Sequence, residues 1–183
     1  CCLAQPVFGE VYFGGSDLPG VTLTFLNVLL QSNYDGVHFH IVVGVNSLQT
    51  EEIFRISRSL TNVSIHKYRR TLVKLISMCD FAVGSPGSTT WERMCLGVPS
   101  IIISIAENQN SNLEYLARAG YIISAGRMKT DIPQNIKNGQ DRILIGETLI
   151  EMKQKILMLV DGNGSKRVAE IILPNALKNY HLR

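Results

Sequence analysis

The sequence predicts a three-layer α/β domain, a mostly parallel, doubly wound sheet with helices on both faces. Three observations carry that expectation. Short runs of β-branched and aromatic residues recur along the chain, and their apolar character is nearly continuous, as for strands covered on both faces. Segments with apolar residues at helical spacing separate these runs. The strand-to-helix junctions are made of Gly, Ser, Pro and Asp, the residues of tight turns and helix caps.

Each element follows in order. Residues 7–13 (VFGEVYF) read as the first strand and end in Gly14-Gly15-Ser16-Asp17. A helix follows behind Pro19 and Gly20, with Leu23, Leu26, Leu29 and Leu30 as its apolar positions. Residues 37–45 (VHFHIVVGV) form a second strand, 49–60 a helix and 63–66 a short strand. Residues 71–78 form a helix with Leu72, Leu75 and Ile76 on one side. The most informative stretch is 80–109, DFAVGSPGSTTWERMCLGVPSIIISIAENQ. It reads as a strand (81–83), a small-residue loop (84–88), a helix (89–96), a turn through Gly97-Val98-Pro99, a strand (100–105) and a polar loop (106–109). A helix at 112–119 closes at Gly120 in a C-cap position, and 121–124 supply a sixth strand. Residues 126–142 are polar and poorly periodic, which predicts a loop. A helix spans 146–160, with Leu149, Met152, Ile156 and Leu159 at helical spacing. Asp161-Gly162-Asn163-Gly164 breaks it. Ser165 then caps a last helix, which Pro174 interrupts near residue 173, and the residues after it continue as a terminal helix crossing back toward a neighbouring domain.

The chain has 183 residues, 45% hydrophobic and 18% charged, enough for a single domain (1–183) with a substantial core. The net charge of +3 and the short cluster Lys67-Tyr68-Arg69-Arg70 argue against a nucleic-acid partner. No apolar run is long enough to span a membrane. Four cysteines occur, Cys1, Cys2, Cys79 and Cys95, with no CxxC or Cys/His spacing for zinc. Cys79 and Cys95 read as buried free thiols, which fits a reducing cytoplasm. No metal and no cofactor is expected. The start at Cys1, with no Met and a strand a few residues later, reads as a cut from a longer polypeptide.

Two loops are candidates for binding an anion. The loop at 84–88 lies between a buried strand and a helix start, where backbone N–H groups converge and the helix dipole adds positive charge. Gly14-Gly15-Ser16-Asp17 occupies the same kind of junction, although two glycines also serve in any tight turn. Neither loop meets the GxGxxG fingerprint or the GKS/GKT phosphate loop. If their strands are neighbours, both loops face one crevice at the carboxyl end of the sheet, and a diphosphate is the natural ligand. Glu92 follows Ser88 by one helical turn, so it either accepts hydrogen bonds from ribose hydroxyls or is a solvated surface carboxylate. Asn108 and Gln109 either donate to phosphate and sugar oxygens or make a turn. His38 and His40 share one strand face with no third ligand nearby, which favours packing or surface roles over metal binding.

The Gly14-Gly15-Ser16-Asp17 turn, the run GSTTWERMCLGVPSIIISIAENQ and the closing DGNGSKRVAEII resemble the C-terminal half of a GT-B-type nucleotide-sugar protein. The match is to the UDP-2,4-diacetamido-2,4,6-trideoxy-β-L-altropyranose hydrolases of pseudaminic acid biosynthesis and to related spore-coat polysaccharide proteins. More distantly the chain is similar to the N-acetylglucosaminyltransferase that makes lipid II. The resemblance implies a Rossmann-like domain holding UDP or a UDP-sugar in a cleft against a second, N-terminal domain. Gly14, Gly15 and Ser16 would approach the diphosphate, and Ser85, Gly87, Ser88 and Thr89 would donate to it. Glu92 would hold the ribose, residues 66–72 would border the uracil, and Asn108 and Gln109 would meet sugar or phosphate. The family's catalytic base is a His in a GxGHxxR loop of the N-terminal domain. None of His38, His40, His66 and His181 sits in such a context, so the catalytic residue of this chain is unassigned and the base is expected on the domain this sequence lacks.

Three function classes follow. The first is the nucleotide-binding half of a UDP-sugar hydrolase or transferase of surface polysaccharide or nonulosonic acid biosynthesis, inactive alone. The second is a non-catalytic interaction or regulatory module of the same fold. The third, a dinucleotide domain, is disfavoured by the absent GxGxxG.

Overall fold

A computed structural model describes residues 7–180, apart from residues 33, 35, 68, 69, 128–131, 144 and 145. Six strands form one sheet: β1 (Val7–Tyr12), β2 (Val37–Val43), β3 (Val63–Lys67), β4 (Phe81–Gly84), β5 (Ser100–Ser104) and β6 (Ile123–Arg127). Every pairing is parallel, and the order is β3-β2-β1-β4-β5-β6. The chain therefore winds outward from β1 to β3, returns to the far side of β1, and winds outward again. Among the described residues there are eight α-helices: α1 (Val21–Gln31), α2 (Thr50–Ser57), α3 (Val73–Ile76), α4 (Ser88–Cys95), α5 (Asn110–Arg118), α6 (Ile132–Ile143), α7 (Gly146–Leu159) and α8 (Gly164–Tyr180), the last exposed over residues 164–173.

Alternation along each strand sends side chains into two separate cores. Val11, Phe13, Phe39, Ile41, Phe81 and Ile101 face the layer of α1, α2 and α6, where Phe25, Ile53 and Ile136 are fully buried. On the other face Tyr12, Val42 and Ala82 meet Leu72 and Ile76 beside α3. Further along that face, Ile102 packs with Met94, Leu113, Leu116 and Ile156 from α4, α5 and α7. Each such side chain taken fully out of water contributes about 1.5–3 kcal/mol.

Several elements differ from expectation. The loop expected over 126–142 is largely the helix α6, apart from 128–131, which lie outside the described residues. Its inner stripe is sparse: Ile136, Gly139 and Ile143. Gly139 sits so close to the sheet that a Cβ there would lie 2.8 Å from Cγ2 of Ile101. A glycine required by packing thus mimics a breaker, and Pro133 stands in the first turn, where proline is tolerated. Pro174 does not divide the last helix, and α8 runs through it to Tyr180. Ser165 lies inside α8 rather than capping it. The turn before α8 is instead fixed by Asp161, whose Oδ1 accepts from the Asn163 N–H at 3.0 Å and whose carboxylate pairs with Arg167. The expected polar loop at 106–109 holds a short 3-10 turn, Glu107–Gln109, and α3 is one turn rather than two. Leu30 and Leu159 are 47% and 40% exposed, so each apolar stripe is narrower than its leucines suggested. Gly120 takes a positive φ of 75°, with Gly120 N–H to Ala117 C=O at 3.1 Å and Tyr121 N–H to Leu116 C=O at 2.9 Å, a Schellman closure of α5.

His38, His40 and His66 form one group. Pairing β2 with β3 brings His66 beside His40, with Nδ1 of His40 3.0 Å from Nε2 of His66. His38 Nε2 lies 2.8 Å from the Ser64 hydroxyl, and Phe8 stacks on His40. The register of β2 and β3 thus brings a third histidine to His40 from 26 residues away, and the contact is a hydrogen bond between two imidazoles. Burial, and then the neighbouring His66 and His38, hold His40 below the ordinary imidazole value of 6.5. The folded state therefore favours neutral His40. That contribution is complete above about pH 6.5 and is lost as the pH falls from there toward the lower folded value. Thermal unfolding between about pH 8 and pH 5 should show a midpoint that declines below about pH 6.5, and His40→Gln should flatten that decline.

Candidate functional site

The site begins where the winding reverses. β1 and β4 pair in parallel with Tyr12 opposite Gly84, so the loops after both strands leave the same edge of the sheet, side by side. Side chains tie them together. The Ser85 hydroxyl donates to the Phe13 carbonyl at 3.3 Å, and the Thr90 hydroxyl donates to the Ser85 carbonyl at 3.1 Å. A third segment closes the crevice from the β2 side: the Asn46 N–H donates to the Gly15 carbonyl at 2.9 Å. A Cβ on Gly44 would lie 2.3 Å from that carbonyl oxygen, so only glycine fits there. Gly44, Thr90 and Asn46 were not among the sequence candidates. For Gly44 the signal was present, a glycine at the carboxyl end of a buried strand.

The loop glycines themselves are open. A Cβ on Gly14, Gly15 or Gly87 would meet nothing within 4 Å. Backbone at these positions can therefore approach a ligand closely.

The two helices starting here differ in what their first N–H groups meet. At α1, Asp17 turns its carboxylate onto them: Oδ1 accepts from Val21 N–H and Oδ2 from Thr22 N–H, both at 2.9 Å. Asp17 is 6% exposed and holds a left-handed φ of 40°. An internal anion thus already occupies the start of α1, and the Gly14–Ser16 turn can offer a ligand only its own backbone. The start of α4 is different. Gly87 is its N-cap and no side chain caps it. The Thr90 N–H bonds to the Gly87 carbonyl at 3.1 Å, which leaves the Ser88 and Thr89 N–H groups as the orphans of the first turn. Ser88 is exposed and Thr89 half-buried.

The remaining candidates surround that helix start. Glu92 is exposed one turn along α4. It lines a cavity of about 520 Å³ with Val73, Trp91, Cys95, Leu159 and Arg167. Ser16 is half-buried in the first loop. Ser85 is 8% exposed with its hydroxyl engaged by Phe13, so its backbone is the part left to a ligand. Asn108 is exposed, whereas the Gln109 side-chain carbonyl turns back to accept the Ile105 N–H at 3.0 Å, leaving its NH2 as the free end. Of residues 66–72, Leu72 is buried and Tyr68 and Arg69 lie outside the described residues. Cys79 is buried, and burial pushes its thiol up to about 12, whereas Cys95 is only half-buried. Cys1, Cys2 and His181 are likewise outside the described residues. Among the described residues no group of three or more His, Cys, Asp and Glu could hold a metal ion, and no helix is long and apolar enough to cross a membrane.

No family model matches the chain. Over 182 residues it is 26% identical to the uncharacterized protein MJ1062 of Methanocaldococcus jannaschii, which covers 92% of this chain and 36% of that protein. It superposes on MurG of Acinetobacter baumannii with a TM-score of 0.74 at 20% identity, covering 95% of this chain and 54% of that one. It also superposes on the UDP-GlcNAc 2-epimerase of Neisseria meningitidis, solved bound to UDP-GlcNAc, with a TM-score of 0.66 at 20% identity, covering 93% and 44%. At these identities the likeness is one of fold. The chain has the Rossmann-like α/β fold of the C-terminal half of GT-B-type proteins. It spans little more than half of the MurG chain and less than half of the other two.

The geometry separates two kinds of glycine. Gly44→Ala should destabilise the chain by about 1–3 kcal/mol, because its Cβ meets backbone that cannot move freely. Gly15→Ala should change stability by less than about 0.5 kcal/mol. Asp17→Ala, which uncovers the start of α1, should cost about 1–2 kcal/mol. Urea unfolding of the three variants measures all three values.

Proposed function

We propose that this chain is the UDP-binding half of a nucleotide-sugar hydrolase or glycosyltransferase-like protein that acts in the cytoplasm, in surface polysaccharide or nonulosonic acid biosynthesis. One observation carries the reading: two glycine loops open onto one crevice, beside a helix start that no side chain caps. Ser88 and Thr89 N–H, with the Gly14–Ser16 backbone, suit a diphosphate, and Gly87, whose own N–H donates to the Ser85 carbonyl at 2.9 Å, leaves room for it to approach. Glu92, one turn further, suits the two hydroxyls of the adjoining ribose, and the cavity beside it leaves room for the nucleoside. Asn108 and the Gln109 amide suit the sugar or its phosphate. The fold likeness to an epimerase solved with UDP-GlcNAc supports the same ligand class.

In a hydrolase or transferase of this kind the anomeric C–O bond breaks and UDP leaves. The groups above would stabilise the charge that develops on the leaving diphosphate. A second domain, N-terminal to this one, would supply the general base and the opposite wall of the cleft. Loss of a general base alone lowers rates by ~10²–10⁴-fold, so the isolated chain is expected to bind UDP without turning over UDP-sugars.

Calorimetry with UDP tests the reading. The chain should bind UDP, and Glu92→Ala should weaken binding about tenfold or more, since hydrogen bonds to a charged group carry ~1.5–3 kcal/mol. Glu92 is exposed, so the unfolding midpoint should not move. Gly15→Ala should fold normally and also bind weakly, by placing a methyl group where the diphosphate would lie. Absence of UDP binding by the folded wild-type chain would overturn the proposal and favour an interaction module.

A further inference from the structure

Beneath the crevice lies a pair of charges that the binding scheme does not use. Glu10 on β1 and Arg93 on α4 are both 0% exposed. Arg93 Nε donates to Glu10 Oε2 at 2.8 Å, and Nη2 donates to Glu10 Oε1 and to the Tyr12 carbonyl, each at 3.2 Å. Nη1 is buried and has no hydrogen-bond partner among the described residues. The guanidinium fills the space under Gly84: a Cβ there would lie 2.3 Å from Nη1, 2.6 Å from Nη2 and 2.5 Å from the Tyr12 carbonyl oxygen. Tyr12 and Gly84 are the last residues of β1 and β4. One planar group therefore touches the ends of both strands whose loops form the crevice, and it is carried by the helix whose start is the anion seat.

Stability alone does not account for this arrangement. A buried ion pair is commonly matched or exceeded by apolar residues of the same volume, and a buried N–H without a partner carries a penalty. What an apolar cluster would lack is direction. The guanidinium fork fixes both separation and angle, as a patch of methyl groups does not. We propose that Arg93, held by Glu10, is a positioning residue that sets the spacing between the Gly14–Ser16 loop and the start of α4, so that both can grip the two phosphates of one diphosphate. This rests on the nucleotide reading above. A monophosphate needs only one of the two loops, so its binding is indifferent to their separation.

The test is the paired measurement of UDP and UMP affinity for wild type and for the double variant Glu10→Leu/Arg93→Met. The variant should unfold cooperatively near the wild-type temperature and bind UMP within about twofold of wild type. Its UDP affinity should fall about tenfold. General loosening of the domain would weaken both ligands alike. Arg93→Lys, which keeps the charge but loses the fork, should show the same selective loss and serves if the double variant does not fold. Wild-type UDP affinity in a folded variant, or equal losses for UDP and UMP, would overturn the positioning role while leaving the nucleotide reading intact. A wild-type chain that binds neither nucleotide would overturn both.

Discussion

The parallel pairing of β1 with β4 is the constraint on which the rest depends. Because the sheet is wound outward twice from β1, the third crossover returns the chain to the centre, and β4 can only lie beside β1. Parallel register then delivers two strand-to-helix junctions to one edge. What is left there is almost entirely backbone. Gly14, Gly15 and Gly87 present no side chains, while Gly44 and Gly84 are required beneath and beside them for close contact. A crevice walled by main chain has fixed dipoles and little side-chain freedom, so it meets an anion with most of the ordering already done.

The contrast between α1 and α4 sharpens that picture. Two helices begin at the same crevice, and a simple count of dipoles would assign an anion to each. Asp17 removes one of them by placing its own carboxylate there. The loop ahead of α1 is thereby pinned, and of the two helix starts at the crevice only that of α4 is left without a side-chain partner. The turn before α1 shapes the crevice and the start of α4 charges it.

The parts legible in the sequence were those that follow one rule at a time. β4 and β5 are buried along their whole length and read as short small-residue and apolar runs, so they were visible with the small-residue loops that mark their ends, whereas the sixth strand lies at Ile123–Arg127 rather than over 121–124. α6 was not legible because its stripe of Ile136, Gly139 and Ile143 includes a residue normally read as a breaker. Gly139 is explained only once Ile101 is seen against it. His66 could not be placed beside His40 before the register of β2 and β3 was known. Glu10 carried a signal that went unused, a carboxylate inside the apolar run VFGEVYF that must find a partner when buried. The partner, Arg93, is 83 residues away on the buried face of α4. Glu92, the residue before it, and Trp91, two before, are exposed, and that rotation of one residue separates the scaffold from the candidate ligand surface.

Placement of the histidines bears on where chemistry could occur. A general base has to lie within about 3 Å of the proton it takes, directly or through one water. His40 precedes the end of β2 by three residues and His38 by five, which at ~3.3 Å per residue sets them about 10 Å and 17 Å short of the carboxyl edge. His66, on β3, stands nearer to that edge, yet it lies at the margin of the sheet, two strands from β1, and shares a hydrogen bond with His40 of β2. The crevice is thus supplied with N–H donors, while these imidazoles are held elsewhere by one another, by Ser64 and by Phe8. Such a surface can hold a leaving group and stabilise its charge. Under the function proposed above, a group other than these imidazoles would activate the nucleophile.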